Sequence, residues 1–465
     1  MRHRTLPPRH VSRSRVGMLH RRILQALVPV VLAGCAITSE DVGHDDSKVT
    51  SVENTNVKNQ AIGNCWLFAT AGWAESLHKG ATKRDADLSE AYWNMWFWYE
   101  QITGGEVGNF SRAADDAKKV DQAGFWGLAA EIIHRYGFMY EGDFIPEADP
   151  KSGRHAQALK AIERSLAEGA LKSPESRKDG KLVRAELYKA WKLNANVSED
   201  IEEVFGKSLD ERAADAPYPT ITERARTGGF GVTRVHAPQE LPVLGADGTT
   251  TVTLADVVGT PAPGKRMSDG ARIGDEAWGD RRYRWPNTEE GRVRGRAFIK
   301  NVQDILNRRL AVPFLWWITS SAKEGVYRGA SVSPSNLGAL HASIFVDYEV
   351  EDVPGFGTLK VDQRETRPAA LEAALDDQAR VTFFRIKNSW GDDPGWSDEE
   401  RRQYNVSELE TMGSKKGHYL PGKPGYNDLD MSFIDRPQAI WGDGENMHMV
   451  VQLTLPPKLR FEIPR

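Results

Sequence analysis

Cysteine is almost absent from this sequence, whose 465 residues include only Cys35 and Cys65. Two thiols cannot supply a cysteine zinc cluster or a disulfide framework, and we predict neither a metal nor a cofactor. The sequence also has little excess of either charge, because 61 basic and 65 acidic residues leave a net charge of −4. That balance gives no reason to expect a nucleic-acid partner. The sequence lacks a phosphate-binding GxxxxGK[ST] loop and a repeat of fixed period.

The N-terminal apolar run, residues 23–34, has only 12 residues and is too short to span a bilayer. Seven arginines and no acidic residue precede it, so residues 1–34 are typical of an export signal. The run ends in LAGC (32–35), which resembles a bacterial lipoprotein box. The resemblance implies cleavage before Cys35 and a lipid on its thiol, which would anchor an exported protein to a membrane, in the periplasm or at the cell surface. An ordinary cleaved signal and an uncleaved anchor are the alternatives.

Residues 35–56 are polar and poor in large apolar groups, as expected of a flexible tether.

If Cys35 carries a lipid, Cys65 is the one thiol left in the mature protein. A thiol that is kept in oxidising surroundings is easier to understand if it has a chemical role. Cys65 opens a run typical of a buried helix, with Asn64 at the N-cap and Gly80 at the end. The amides of a first helical turn favour a thiolate. A core cysteine without a chemical role is the alternative.

Fourteen tryptophans are a high count, and several of them fall within residues 88–105, LSEAYWNMWFWYEQITGG. A tryptophan-rich helix on an anchored protein could insert into the membrane interface. Its aromatic residues lie on all sides and basic residues are few, which favours a helix buried in the protein core.

A thiolate nucleophile needs a base, and the base needs a residue that orients it. Among eleven histidines, His341 follows small residues and precedes an alternating strand, which would leave its ring accessible on a rigid backbone. Asn388 ends another apolar strand, and its side-chain oxygen can accept a hydrogen bond from an imidazole. Singly, such residues are more often a buried strand histidine and a turn asparagine. The order Cys, His, Asn is far more specific.

Three segments resemble the active-site blocks of papain-superfamily cysteine peptidases: NQAIGNCWLFAT (59–70), LGALHASIFVDYE (337–349) and FRIKNSWGDDPG (384–395). Two others, LSEAYWNMWFWYEQ (88–101) and AGFWGLAAEIIHRYGF (123–138), resemble the bleomycin hydrolase and aminopeptidase C branch. The likeness extends over about residues 57–145 and 298–435, with little match between them.

Carried over residue by residue, the resemblance implies that Cys65 is the nucleophile, His341 the general base and acid, and Asn388 the residue that orients the histidine. Trp390 would cover the bond between Asn388 and His341. No metal or cofactor belongs to this chemistry.

The resemblance also implies that the Gln60 amide and the backbone N–H of Cys65 stabilise the oxyanion. Here Gln60 stands five residues before the cysteine, and Asn59 occupies the more usual position six residues before it. The shorter loop could be absorbed or could displace the amide. Gly124 would bind the substrate backbone, although Ala123 replaces the first glycine of the family's pair.

The resemblance implies an α+β, papain-like fold with two lobes. We predict a helical lobe over residues 57–150, an inserted subdomain over 151–296 and an antiparallel β-rich lobe over 297–465. The predicted function is a cysteine peptidase, an aminopeptidase or an endopeptidase, acting on a peptide or protein substrate. An acyl or peptidyl transferase and a non-catalytic peptide-binding lipoprotein are the rivals. Assembly into a homo-oligomer stays open.

Overall fold

The structure is a computed structural model that describes residues 52–104, 118–145, 153–210, 221, 233–262, 272–285, 288–319, 322–329, 337–390, 419–435 and 446–463. They belong to the unit Asp46–Arg465. The predicted export signal, Cys35 and the tether up to residue 51 lie outside the described residues.

Three helices build the part of the fold that begins at the cysteine. Helix α1 spans Cys65–Thr82 and is buried on nearly all sides, and it ends beyond the predicted Gly80, with Lys83 in the left-handed region at φ 61°. Helix α2 spans Glu90–Thr103 and starts at Ser89, whose side chain accepts from the amide of Tyr92. Helix α3 (Trp126–Tyr136) ends at Gly137, and a short helix α4 (Glu141–Phe144) follows.

The tryptophan-rich segment is a buried helix, as predicted. Trp93, Trp96 and Trp98 of α2 are all fully buried. The Trp96 ring stacks on Tyr136 of α3 with the ring centroids 3.9 Å apart. The Trp98 ring stacks on Trp191 at 5.4 Å. The aromatic residues of α2 therefore join neighbouring helices to one another.

Further helices cover α2 on the side of Trp191. Helix α7 packs against α2 and against α5. The helices of this region are α5 (Arg154–Glu168), α6 (Pro174–Lys178), α7 (Gly180–Trp191), α8 (Ala195–Ile201), a π-helical turn (Glu202–Gly206) and α9 (Lys207–Asp210).

Residues 233–285 contain short pieces of both kinds of secondary structure. The run TVTLADVV (251–258), whose β-branched residues are typical of a strand, is a strand only at its start, because Thr253 caps a helix through a hydrogen bond with the amide of Asp256. These elements are the hairpin β1 (Pro242–Leu244) and β2 (Thr251–Thr253), helix α10 (Leu254–Val258), and the pair β3 (Thr260–Pro261) and β4 (Arg272–Ile273).

Among the described residues, eight strands form one mixed sheet, in the order β5-β12-β6-β8-β10-β11-β7, with β9 pairing to β8. All pairs are antiparallel except β11 with β7, which is parallel. The strands are β5 (Gly279–Trp285), β6 (Val312–Thr319), β7 (Val326–Tyr327), β8 (Leu337–Val353), β9 (Gly357–Leu359), β10 (Arg380–Lys387), β11 (Tyr426–Asp430) and β12 (Asn446–Leu455).

Helix α1 packs against β8 and β6, which brings the start of α1 to the centre of the sheet. Helix α11 (Glu289–Asn307) packs against β5, β6 and β8. Two further short helices are α12 (Pro368–Ala373) and α13 (Met431–Ile434), and a 3-10 turn spans Pro238–Glu240. The fold is α+β, as the sequence predicts.

The structure differs from the predicted boundaries at two places. Strand β5 belongs to the large sheet through its pairing with β12, although the sequence assigned it to the insertion. Residues 52–56 are packed, not a loose tether: Val52 and Thr55 are buried. The Lys387 ammonium donates to the carbonyl of Thr55 at 2.8 Å, and the Thr55 hydroxyl donates to Glu75 at 2.7 Å.

Within the ranges that the structure describes, no helix is both long and apolar enough to cross a membrane. The same ranges contain no group of three or more His, Cys, Asp or Glu side chains arranged to hold a metal ion.

Candidate active site

The thiol of Cys65 lies against strand β8. Its Sγ accepts a hydrogen bond from the backbone N–H of Ala342, with 3.3 Å between the two atoms. Ala342 directly follows His341, and β8 is fixed there because His341 pairs with Trp316 of β6. Cys65 is the first residue of α1, whose first turn contains no acidic side chain. The thiol therefore lies at the positive end of a helix and beside the predicted base.

His341 and Asn388 form the hydrogen bond that the sequence predicts. The distance from His341 Nε2 to Asn388 Oδ1 is 2.7 Å, and both residues are buried. Burial lowers the pKa of His341 to about 4, and its hydrogen bond with Asn388 opposes that shift. The ring is therefore neutral at pH 7. Because Asn388 Oδ1 can only accept, Nε2 carries the proton and Nδ1 is the basic nitrogen.

Trp390 lies over the histidine ring. The two ring centroids are 4.5 Å apart with an angle of 22° between the planes. Trp316 meets the same imidazole edge-on, at 5.8 Å. Trp390 is 3% exposed, so the hydrogen bond between His341 and Asn388 lies beneath a large apolar surface that excludes water.

The side chain of Gln60 reaches this site. The Ser389 hydroxyl donates to Gln60 Oε1 at 2.7 Å, and the Gln60 backbone N–H donates to the Ser389 carbonyl at 2.7 Å. Asn59 instead pairs with Trp390 through a backbone bridge. Gln60 Nε2 donates to the carbonyl of Ile62 at 2.6 Å. A primary amide has two N–H donors, so this bond occupies one of them.

Gly124 lies against the residue that follows the cysteine. A Cβ atom at Gly124 would stand 2.3 Å from the indole of Trp66, so a larger residue cannot be placed there without a shift. The Trp66 indole N–H donates to the carbonyl of Gln122 at 2.9 Å. The side chain of Gln122 accepts from the amide of Gly63 at 2.7 Å. The segment around Gly124 thus holds the loop that leads to Cys65.

Asn64 stands at the predicted N-cap position, but its side chain makes no capping hydrogen bond. Its Nδ2 instead lies 3.1 Å from Nδ1 of His155, at the start of α5. The His155 ring packs against Phe68 and Trp191. Burial lowers the pKa of His155 to about 3, so this ring is neutral as well.

Four residues of this neighbourhood were missed by sequence reasoning. Ser389 lies within the segment FRIKNSWGDDPG (384–395), directly after Asn388. That position was the one sign in the sequence that Ser389 belongs to the site. Gln122 and His155 reach the cysteine loop from segments without a recognisable pattern. Asn427 Oδ1 accepts from Asn388 Nδ2 at 3.2 Å, and its strand carries no motif.

The arrangement has the parts that acyl transfer requires: a thiol, a neutral imidazole whose basic nitrogen is Nδ1, and a carboxamide that fixes the imidazole. The Gln60 amide and the start of a helix add donors that could stabilise negative charge on a carbonyl oxygen.

A scan against protein-family models finds none that matches the chain, and a search of curated proteins also finds no match. Among solved structures, 38 chains match. One of them is described as the crystal structure of PepW from Lactobacillus rhamnosis HN001 (DR20). The two chains are 14% identical with a TM-score of 0.36, over 88% of this chain and 81% of that chain. A similarity this distant assigns neither family nor activity, which leaves the side chains of the site as the basis for a function.

Proposed function

We propose that this chain is a cysteine peptidase of the papain superfamily that cleaves peptide bonds through a thioester intermediate. One observation carries the proposal. Cys65 Sγ lies against the backbone next to His341, and Asn388 holds that histidine in a buried hydrogen bond. A cysteine that only filled the core would need no oriented imidazole beside it.

In the first half of the reaction, Cys65 Sγ attacks the carbonyl carbon of the scissile bond while His341 Nδ1 takes the thiol proton. Asn388 stabilises the resulting imidazolium through the Nε2–H bond. The second N–H of Gln60 and the backbone N–H of Cys65 stabilise the negative charge on the carbonyl oxygen. The C–N bond breaks, the imidazolium gives its proton to the leaving amine, and a thioester remains.

In the second half, water attacks the thioester and gives a proton to His341 Nδ1. The C–S bond breaks, the carboxylic acid leaves, and the proton returns to Cys65. Trp390 keeps bulk water away from the bond between His341 and Asn388, so the proton on Nε2 stays in place throughout.

The proposal is tested by the hydrolysis of a mixed peptide library by purified protein and by its Cys65→Ser variant. We expect the substitution to lower kcat/KM at least about 10³-fold, because it removes the nucleophile. Intact-mass analysis during turnover should show an acyl adduct on Cys65. Equal hydrolysis by both proteins would contradict the proposal.

The same assay separates the rivals. A transferase would pass the acyl group to an added amine acceptor in preference to water. A peptide-binding module would bind library members without cleaving them. Internal cleavage products would identify an endopeptidase, whereas stepwise loss of N-terminal residues would identify an aminopeptidase.

Export and lipidation at Cys35 are proposed from the sequence alone. Detergent phase partitioning of the protein from its host, compared with a Cys35→Ala variant, tests the anchor. We expect only the unsubstituted protein to enter the detergent phase. Sedimentation of residues 36–465, which keep the packed segment 52–56, tests whether the peptidase forms a homo-oligomer.

A further inference from the structure

Asn427 is a polar side chain in a position where a strand usually buries an apolar one. It is fully buried within β11, opposite Ile386 of β10. Burying a carboxamide costs free energy unless its donors and its acceptor find partners. Here it finds them: Asn427 Oδ1 accepts from Asn388 Nδ2 at 3.2 Å, and Asn427 Nδ2 donates to the carbonyl of Gly325 at 3.3 Å.

These hydrogen bonds fix which end of each carboxamide, Asn427 and Asn388, donates and which end accepts. The Gly325 carbonyl can only accept, so Asn427 must turn Nδ2 towards it and Oδ1 towards Asn388. Asn388 must then turn Nδ2 towards Asn427, which leaves its Oδ1 facing His341. That oxygen accepts from His341 Nε2 at 2.7 Å and from the backbone N–H of Ser389 at 2.8 Å.

The backbone at the far end of this chain cannot easily move. Gly325 has φ 77°, and a Cβ atom there would stand 2.2 Å from the amide nitrogen of Leu420. The backbone N–H of Asp428 donates to the same carbonyl at 3.0 Å. Asp428 also forms a two-bond ion pair with Arg385, which joins β11 to β10 one residue beyond Asn427. The carbonyl and Asn427 are therefore fixed independently of Asn388.

We propose that Asn427 is a positioning residue that, together with the backbone N–H of Ser389, sets the orientation of the Asn388 carboxamide and, through it, which nitrogen of His341 carries the proton. A carboxamide is nearly symmetric in shape, so packing alone does not choose between its two orientations. A reversed Asn388 would turn Nδ2 towards His341 and towards the Ser389 N–H. His341 would then have to accept at Nε2 and carry its proton on Nδ1, where the thiol proton must go. The effect on turnover rests on the proposed peptidase function, whereas the effect on the histidine does not.

The first arm of the test observes the histidine directly. Protein labelled with ¹⁵N-histidine is compared for the unsubstituted chain, Asn427→Leu and Asn427→Asp, and the His341 signals are assigned by their loss in His341→Gln. We expect one neutral form, with the proton on Nε2, in the unsubstituted chain. Asn427→Leu, which has no acceptor for Asn388 Nδ2, should show a second form with the proton on Nδ1. Asn427→Asp keeps an acceptor and should retain the Nε2–H form.

The second arm measures peptide hydrolysis by the same proteins. We expect Asn427→Leu to lower kcat about 10-fold with KM changed less than about twofold, because a fraction of the histidine holds its proton on the wrong nitrogen. Asn427→Asp should recover part of that loss. Asn301→Leu is the matched control, because Asn301 is another fully buried asparagine whose amide bonds to the backbone of Phe461 in both directions. It should lower thermal stability without changing the His341 signals or kcat.

The proposal is overturned if Asn427→Leu keeps a single Nε2–H form and changes kcat no more than Asn301→Leu does. If Asn427→Leu does not fold, Asn427→Asp decides, because a proton found on Nδ1 in that variant contradicts the proposal. If the unsubstituted chain cleaves no peptide, the peptidase function fails, and the NMR arm alone still decides the role of Asn427.

Discussion

Cys65 lies between two different surroundings. The sheet side consists of His341, Ala342, Asn388 and Trp390, and the helical side consists of Asn64, Trp66, Gly124 and His155. Each side places a neutral histidine near the cysteine, buried for His341 and half-buried for His155, with a pKa of about 4 for His341 and about 3 for His155.

The difference between the two histidines lies in their partners. His341 donates to a carboxamide oxygen whose own orientation is held by Asn427. His155 faces the Nδ2 of Asn64 and two aromatic rings. A base must keep its basic nitrogen available: His341 gives its N–H to Asn388 and leaves Nδ1 basic, whereas the basic Nδ1 of His155 already accepts from Asn64 Nδ2. We infer that the sheet side carries the chemistry and that the helical side positions the cysteine. A lowered pKa alone would not have told them apart.

The largest expected effect separates the two histidines by activity. His341→Gln removes the base, and we expect kcat/KM to fall about 10²–10⁴-fold. His155→Gln can still accept from Asn64, so we expect a loss below about 10-fold. Both variants are measured in the same peptide hydrolysis assay. Similar losses in the two variants would contradict the division of roles.

The next largest effect is a loss of stability when Gly124, on the helical side, is replaced. Gly124→Ala places a methyl group within the Trp66 ring, and we expect the free energy of unfolding to fall by about 1–3 kcal/mol. Gly142→Ala is the control, because a Cβ atom there has no neighbour within 4 Å. Urea denaturation of the two variants measures the difference. An unchanged Gly124→Ala protein would show that this segment does not hold the cysteine loop.

A third effect, the pH dependence of stability, depends on the histidines of both sides. The folded chain holds His341 and His155 neutral, whereas the unfolded chain takes up their protons below about pH 6.5. Since the unfolded state binds more protons, the free energy of unfolding should fall as pH drops below 6.5 towards 4. Each histidine should contribute up to about 2 kcal/mol of that loss at pH 5. The loss between pH 7 and pH 5 should shrink in His155→Gln and in His341→Gln alike. A loss of unchanged size would mean that neither ring stays neutral in the fold.

The smallest effect concerns Ser389, whose hydroxyl holds Gln60. Ser389→Ala should lower kcat about 10-fold, less than the 10²–10³-fold expected when an oxyanion donor is removed outright by Gln60→Ala. KM should be nearly unchanged, because the charge on the oxygen develops only during the reaction. Ser165→Ala, at a buried serine of α5, is the control. Equal kcat values for the two alanine variants would remove Gln60 from the proposed mechanism.

The sequence predicted the α+β fold and the hydrogen bond between His341 and Asn388. The fold class was implied by the resemblance to papain-superfamily peptidases. The hydrogen bond follows from local patterns: a strand ending at Asn388, and a histidine after small residues at the start of an alternating run. The roles of Cys65, Gln60, Trp390 and Gly124 in catalysis stay predictions.

The residues that hold the site could not be predicted in the same way. Asn427 contacts Asn388, and His155 contacts Asn64, although the partners are far apart in the sequence. The residues next to Asn427 and His155 in the sequence form no recognisable motif. Strand β5 was assigned to the insertion because GDRRYRW (279–285) is rich in charge, which hides a strand that alternates towards the core at Tyr283 and Trp285. Residues 52–56 are polar and short, so their packing depends on Lys387 and Glu75 rather than on their own composition.

The most direct test of the central claim is the reaction of Cys65 with a thiol-directed epoxide, followed by intact mass spectrometry of folded protein at pH 7. We predict that one equivalent adds to Cys65, and that His341→Gln slows the reaction at least about 100-fold while His155→Gln leaves it nearly unchanged. A thiol that stays unlabelled in the folded protein, or that reacts equally fast without His341, would contradict the assignment of Cys65 and His341 as a catalytic pair.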